Sequence, residues 1–72
     1  MKIIKADKVV AELRDNPKDF EGGVKDKVVW LVVGDDDVKL ARYATNERAG
    51  EVSRALMDAY FKNQPEFILP KE

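Results

Sequence analysis

The sharpest chemical feature of the chain is Asp35-Asp36-Asp37, three successive carboxylates between two apolar segments. Carboxylate oxygens are what Ca²⁺ and Mg²⁺ take as ligands. Consecutive residues do not all turn toward one ion, however. A calcium loop spaces its ligands at alternate positions and closes with a distant glutamate, which is missing here. The run reads as a solvated hairpin turn, and no metal ligands are assigned. Acid–base catalysis would need paired carboxylates, one of them buried enough to lift its pKa toward neutrality. Glu12, Glu21, Glu47 and Glu51 each lie in a polar stretch, and nothing in the order of residues brings two acids together. Ser53 has no histidine to activate it, because the chain contains neither histidine nor cysteine. Gly22-Gly23 with Lys25 lacks the spacing and the following Ser or Thr of a phosphate loop. The expectation is a non-enzymatic protein with no catalytic residues, no metal and no cofactor.

Composition sets the scale of the elements. Seventy-two residues, 44% hydrophobic and 38% charged, make one small domain over residues 1–72, near the size where burial and chain entropy roughly cancel. Thirteen basic residues oppose fourteen acidic ones, and the two signs are interspersed. No polyanion-binding surface is advertised by that balance. No apolar run approaches the roughly 18 residues needed to span a bilayer, and the polar start is unlike a secretory signal. No membrane association and a cytoplasmic location are expected.

The pattern between residues 28 and 60 carries the architecture. Val28-Val29-Trp30-Leu31-Val32-Val33 is apolar at both parities, the pattern of a strand covered on both faces or of one whose second face meets a partner. Gly34 to Asp37 suits a four-residue hairpin connection to a second strand over residues 38–43. On that strand Val38, Leu40 and Ala44 share a face with Arg42, and Lys39, Ala41 and Tyr43 share the other. Thr45 is a candidate N-cap, and Glu47 in the first turn suits the helix dipole. Ala49, Val52, Ser53, Leu56, Ala59 and Tyr60 then recur at helical spacing, predicting a helix over residues 46–62. Glu51 with Arg54, and Arg54 with Asp58, fall at pairing intervals on its outer side.

Around this centre, Ile3 and Ile4 suggest a short first strand, and Glu66 to Leu69 a last one with proline on either side. Residues 7–16 fit either a helix capped by Asp7 or a strand; Ala11, Glu12, Leu13 and Arg14 are good helix formers and favour the helix. Residues 17–27 read as a loop around Gly22-Gly23, with Phe20 plugging back into the core. The expected fold class is α+β: a small antiparallel sheet built on the central hairpin and extended by the terminal strands, with one main helix packed on one face.

The run Leu40-Ala41-Arg42-Tyr43-Ala44-Thr45-Asn46-Glu47-Arg48-Ala49-Gly50-Glu51-Val52, with the closing Phe67-Ile68-Leu69-Pro70-Lys71-Glu72 and the Met1-Lys2-Ile3-Ile4 start, resembles small uncharacterised proteins carried by phages and prophages of Gram-positive bacteria. It departs from them at Lys71, where an acidic residue often follows the proline, and over residues 7–26. The resemblance implies a cytosolic bacterial or phage origin and an α+β fold, and brings no site residues with it.

Function then turns on apolar surface. Met57 and Phe61 lie one turn apart, off the main core face of the helix, and the strand holding Trp30 is apolar on both sides. Either the helix expected over residues 7–16 or the Phe20 loop covers this surface, or Trp30, Met57 and Phe61 are the candidate contact residues of a protein-interaction module that binds a partner protein or a second copy of itself. The alternative is a weak nucleic-acid binder using Lys27, Lys39, Arg42 and Tyr43. The near-zero net charge counts against it, and nucleic acid is not the expected partner.

Overall fold

A computed structural model of the chain describes residues 1–13, 20–33 and 36–72, apart from the side chains of Phe20, Val33 and Asp36. The elements run β1 (Lys2–Lys5), β2 (Lys8–Glu12), β3 (Phe20–Lys25), β4 (Val28–Val33), β5 (Asp36–Arg42), α1 (Asn46–Phe61) and β6 (Glu66–Ile68). The fold is α+β, with the six strands among the described residues divided between two three-stranded sheets, β2-β1-β6 and β3-β4-β5. The terminal strands therefore do not extend the hairpin sheet. They form a sheet of their own, in which β6 runs parallel to β1 and β2 antiparallel to it.

Two tight turns account for strands that local propensity misassigns. Ala6 and Asp7 both hold positive φ, 50° and 64°, the conformation of a two-residue turn whose twist matches that of paired strands. The turn folds Lys8–Glu12 back on β1, with Lys5 opposite Lys8 and Ile3 opposite Ala11. The helix favoured over residues 7–16 is thus a strand as far as Glu12: ladder pairing and burial of Leu13 outweigh the small helical preference of Ala11 and Glu12. Asp26 and Lys27 repeat the device at φ 52° and 67° and join β3 to β4. Residues 20–25, expected to be loop, are consequently a full strand. Arg14, the Pro17 stop, the Phe20 side chain and the Gly34-Asp35 connection lie outside the described residues.

Strand parity decides which face of β3-β4-β5 is core. Val29 and Leu31 are buried at 0% and 1% exposure, and α1 packs over them. On β3 the residue opposite Leu31 is Gly22, where an added Cβ would stand 3.1 Å from Met57 Sδ and 3.5 Å from Ser53 Oγ. The missing side chain lets the helix approach the sheet. The β4–β5 ladder reaches Val33 opposite Asp36, so the acids from Asp36 onward belong to the strand and the expected four-residue connection is shorter. A bulge beside Val29 and Trp30 leaves Leu40 without a partner, and the alternation expected along this strand breaks there: Leu40 and Ala41 are both buried.

Thr45 caps α1, its Oγ1 accepting from the Arg48 N–H at 3.0 Å, and Ala49, Val52, Leu56 and Ala59 form the buried face. At the other end Asn63 holds φ 58° and donates to the Tyr60 carbonyl, while Gln64 donates to that of Ala59, closing the helix with a left-handed residue. The exposed ion pairs are Arg48–Glu51 and Asp58–Lys62 rather than those expected through Arg54. Ile3, Leu13 and Leu69 from one sheet join Val29, Leu31 and Leu40 from the other and the helix face in one buried cluster.

Gly22 and Gly23 are adjacent yet face opposite surroundings, since nothing lies within 4 Å of a Cβ built on Gly23. Gly22→Val is expected to destabilise the fold by about 1–3 kcal/mol through overpacking against Met57, while Gly23→Val leaves stability unchanged or raises it. Urea unfolding of the two variants checks this. Relief of the left-handed conformation at Lys27 is expected to make Lys27→Gly more stable than wild type by about 0.5–1 kcal/mol, read in the same way.

Candidate interaction surface

The face of β3-β4-β5 turned away from α1 is built by the other parity of the same strands. Val32 and Trp30 on β4 are half-buried, and Val28, in register with them, is buried at 6% exposure. Each is flanked across the ladder. Lys25 and Arg42 stand opposite Val28, Gly23 and Lys39 opposite Trp30, and Glu21 and Asp37 opposite Val32. All five charged residues that flank the row, Lys25, Glu21, Arg42, Lys39 and Asp37, are exposed. The face is therefore an apolar line along β4 with basic residues toward one end and acidic residues toward the other.

Gly23 supplies the relief. Its missing side chain leaves an open depression of about 270 Å³, lined by Gly23, Val24, Lys25, Trp30, Val32 and Asp37. A large amphipathic ring beside a shallow apolar hollow, with charges around the rim, is the usual anatomy of an interface centre. Among the described elements, α1 covers the opposite face of this sheet and β2 approaches β5.

The three contact residues expected from sequence do not share one surface. Met57 is half-buried on the α1 side, against Gly22, whereas Trp30 belongs to the other side of the sheet. Phe61 is 70% exposed near the end of the helix, its ring edge-on to Tyr60 with centroids 5.6 Å apart. The residues of the nucleic-acid alternative divide as well. Lys27, Lys39 and Arg42 are exposed, but Tyr43 is buried at 5% exposure and its hydroxyl donates to the Pro70 carbonyl at 2.8 Å. That bond and the one from Arg48 Nε to the Glu72 carbonyl fasten the tail across the start of α1. The Lys27 N–H, turned by its positive φ, donates to Asn46 Oδ1 at 2.7 Å and ties the β3–β4 turn to the helix.

A second apolar row escaped sequence reasoning. Val9, Ile4 and Ile68 stand side by side across β2-β1-β6, with Val9 and Ile68 55% and 65% exposed. Alternation along β1 hints that Ile4 faces outward; its neighbours follow only once β2 is a strand and β6 is parallel. Beside them runs the row Glu12, Lys2 and Glu66, whose opposite charges are adjacent within the sheet.

Among the described residues no group of three or more His, Cys, Asp or Glu side chains could hold a metal ion, and no helix is long and apolar enough to cross a membrane. Burial raises the Tyr43 phenol above its ordinary value of 10.0, with Arg48 pulling weakly the other way. Comparison of the chain with models of protein families, with curated proteins and with solved structures found no match.

The Tyr43 shift has a definite sign. The unfolded chain ionises first as pH passes 10.0, so this residue's contribution to stability is constant below that pH and lost above it. Tyr43→Phe is expected to cost about 0.5–1.5 kcal/mol near neutrality through the bond to Pro70. Its unfolding free energy then declines less steeply than that of wild type above pH 10, as followed by urea titration across that range.

Proposed function

We propose that the chain is a non-enzymatic protein-interaction module whose contact surface is the outer face of β3-β4-β5, centred on Trp30. The observation that carries this reading is the half-buried Trp30 beside the open hollow over Gly23, on the sheet face opposite the helix. An indole left partly in water is the costliest exposed feature of that face, and a bound protein would remove it from solvent. Phe61 is a second, separate contact, and Met57 supports the helix against the sheet rather than meeting the partner.

The resemblance of residues 40–52 and 67–72 to phage and prophage proteins of Gram-positive bacteria supports an accessory role in that setting, in the cytoplasm. A nucleic-acid reading has one observation in its favour: Lys39 stands opposite Trp30 with Lys25 and Arg42 beyond it. Glu21 and Asp37 on the same face oppose a polyanion, and Tyr43 is committed to the tail.

Affinity purification from a Gram-positive bacterial lysate, run in parallel with wild type and Trp30→Ala, tests the proposal. A bound protein is expected to weaken on truncation by about thirtyfold, the effect of losing a roughly 2 kcal/mol anchor, at unchanged circular dichroism. A partner held equally well by Trp30→Ala, or an interaction lost only through Phe61→Ala, would contradict it.

A further inference from the structure

We infer that the occupant of the Trp30 face is a second copy of this chain, packed sheet to sheet about a two-fold axis lying between the sheets and perpendicular to the strands. The inference rests on the proposed interaction surface and names its partner. Its basis is the order of charges along the face. Lys25 and Arg42 flank Val28 at one end, Glu21 and Asp37 flank Val32 at the other, and Trp30 lies between.

A two-fold axis through the Trp30 row reverses strand direction and keeps β3 above β3 and β5 above β5. Lys25 then stands over Glu21 of the second copy, and Arg42 over its Asp37; both pairs recur by symmetry. An axis parallel to the strands would instead set Lys25 over Arg42 and Glu21 over Asp37, like charges over like at all four places. The first axis brings together a single like pair, Lys39 over its own copy in the axial row, so the charge order selects the first arrangement. At the axis the rings of Trp30 from both copies meet where Gly23 carries no side chain and leaves its hollow. Sheets packed face to face lie about 10 Å apart, enough for one layer of such rings. An isologous contact of this kind uses the same patch twice and closes at two copies. The charge order also argues against a nucleic acid, which would meet the acidic end unfavourably.

Size fixes the strength. Three strands about 4.8 Å apart and six residues long give a footprint of about 300 Å², below the ~800 Å² per partner of a stable complex. The dimer is therefore weak and salt-sensitive, and the measurement must reach high concentration.

Sedimentation equilibrium from about 10 µM to about 1 mM is the test, on wild type, on Glu21→Lys with Asp37→Lys, on Lys25→Glu with Arg42→Glu, and on an equimolar mixture of the two double variants. Wild type is expected to self-associate. Each double variant alone should associate at least about tenfold more weakly, because like charges then face each other, and the mixture should recover the association. Gly23→Val, which fills the hollow without touching the core, should also weaken it at unchanged circular dichroism. A wild type that stays monomeric throughout would overturn the inference. So would association indifferent to both double variants, which would place the contact elsewhere, as on the Val9–Ile4–Ile68 row, or a mixture that fails to recover. An oligonucleotide that bound the monomer and shielded Trp30 would overturn it in favour of nucleic acid. The broader interaction reading fails separately, by Trp30→Ala retaining a protein captured from the lysate.

Discussion

The strand β4 is apolar on both faces, and the described residues form one helix with which to cover them. Val29 and Leu31 take that cover and are almost fully buried, so Trp30 and Val32 are left with whatever the neighbouring strands provide. Lys25, Lys39 and Arg42 can lay their stems along the face, as long basic side chains do, but Gly23 contributes nothing beside the indole. The glycine pair makes the asymmetry sharper. Gly22 brings the helix close on one side, while Gly23, one residue along, leaves the other side hollow.

The remaining elements support that arrangement. Asn46 holds the β3–β4 turn at the helix start, and Thr45 caps the same end, so the sheet and helix are registered where they meet. Tyr43 and Arg48 then clamp the tail next to this junction. The second sheet closes the core from another side through Ile3, Leu13 and Leu69. Because these links are backbone turns, caps and buried apolar contacts, charged residues on the outer faces are free to be arranged for binding rather than stability, a role in which exposed pairs contribute little.

The hairpin, the capped helix and its buried face were legible because each has a local cause: an apolar strand at both parities, a threonine cap, and helical spacing of Ala49, Val52, Leu56 and Ala59. Strands β2 and β3 were not, for opposite reasons. Ala11 and Glu12 carry helical propensity that pairing with β1 overrides, and the Ala6-Asp7 turn that enforces the pairing has none of the usual glycine or asparagine signature. Gly22-Gly23 reads as a loop because glycine is poor in strands, yet its use here is close packing on one face and relief on the other. Trp30 was legible as a surface candidate from the two-sided strand. Its setting between ordered charges was not, since it depends on the register of β3, a strand that sequence alone hid. Met57 was misplaced for the same reason: the surface it covers belongs to that strand.

Trp30 is the chain's single tryptophan, which makes its own fluorescence the most direct reporter of whether its face is covered. The account predicts that, as protein concentration rises, its emission moves to shorter wavelength and its quenching by acrylamide falls. Emission and quenching that stay constant across the same range, in wild type and Gly23→Val alike, would contradict it.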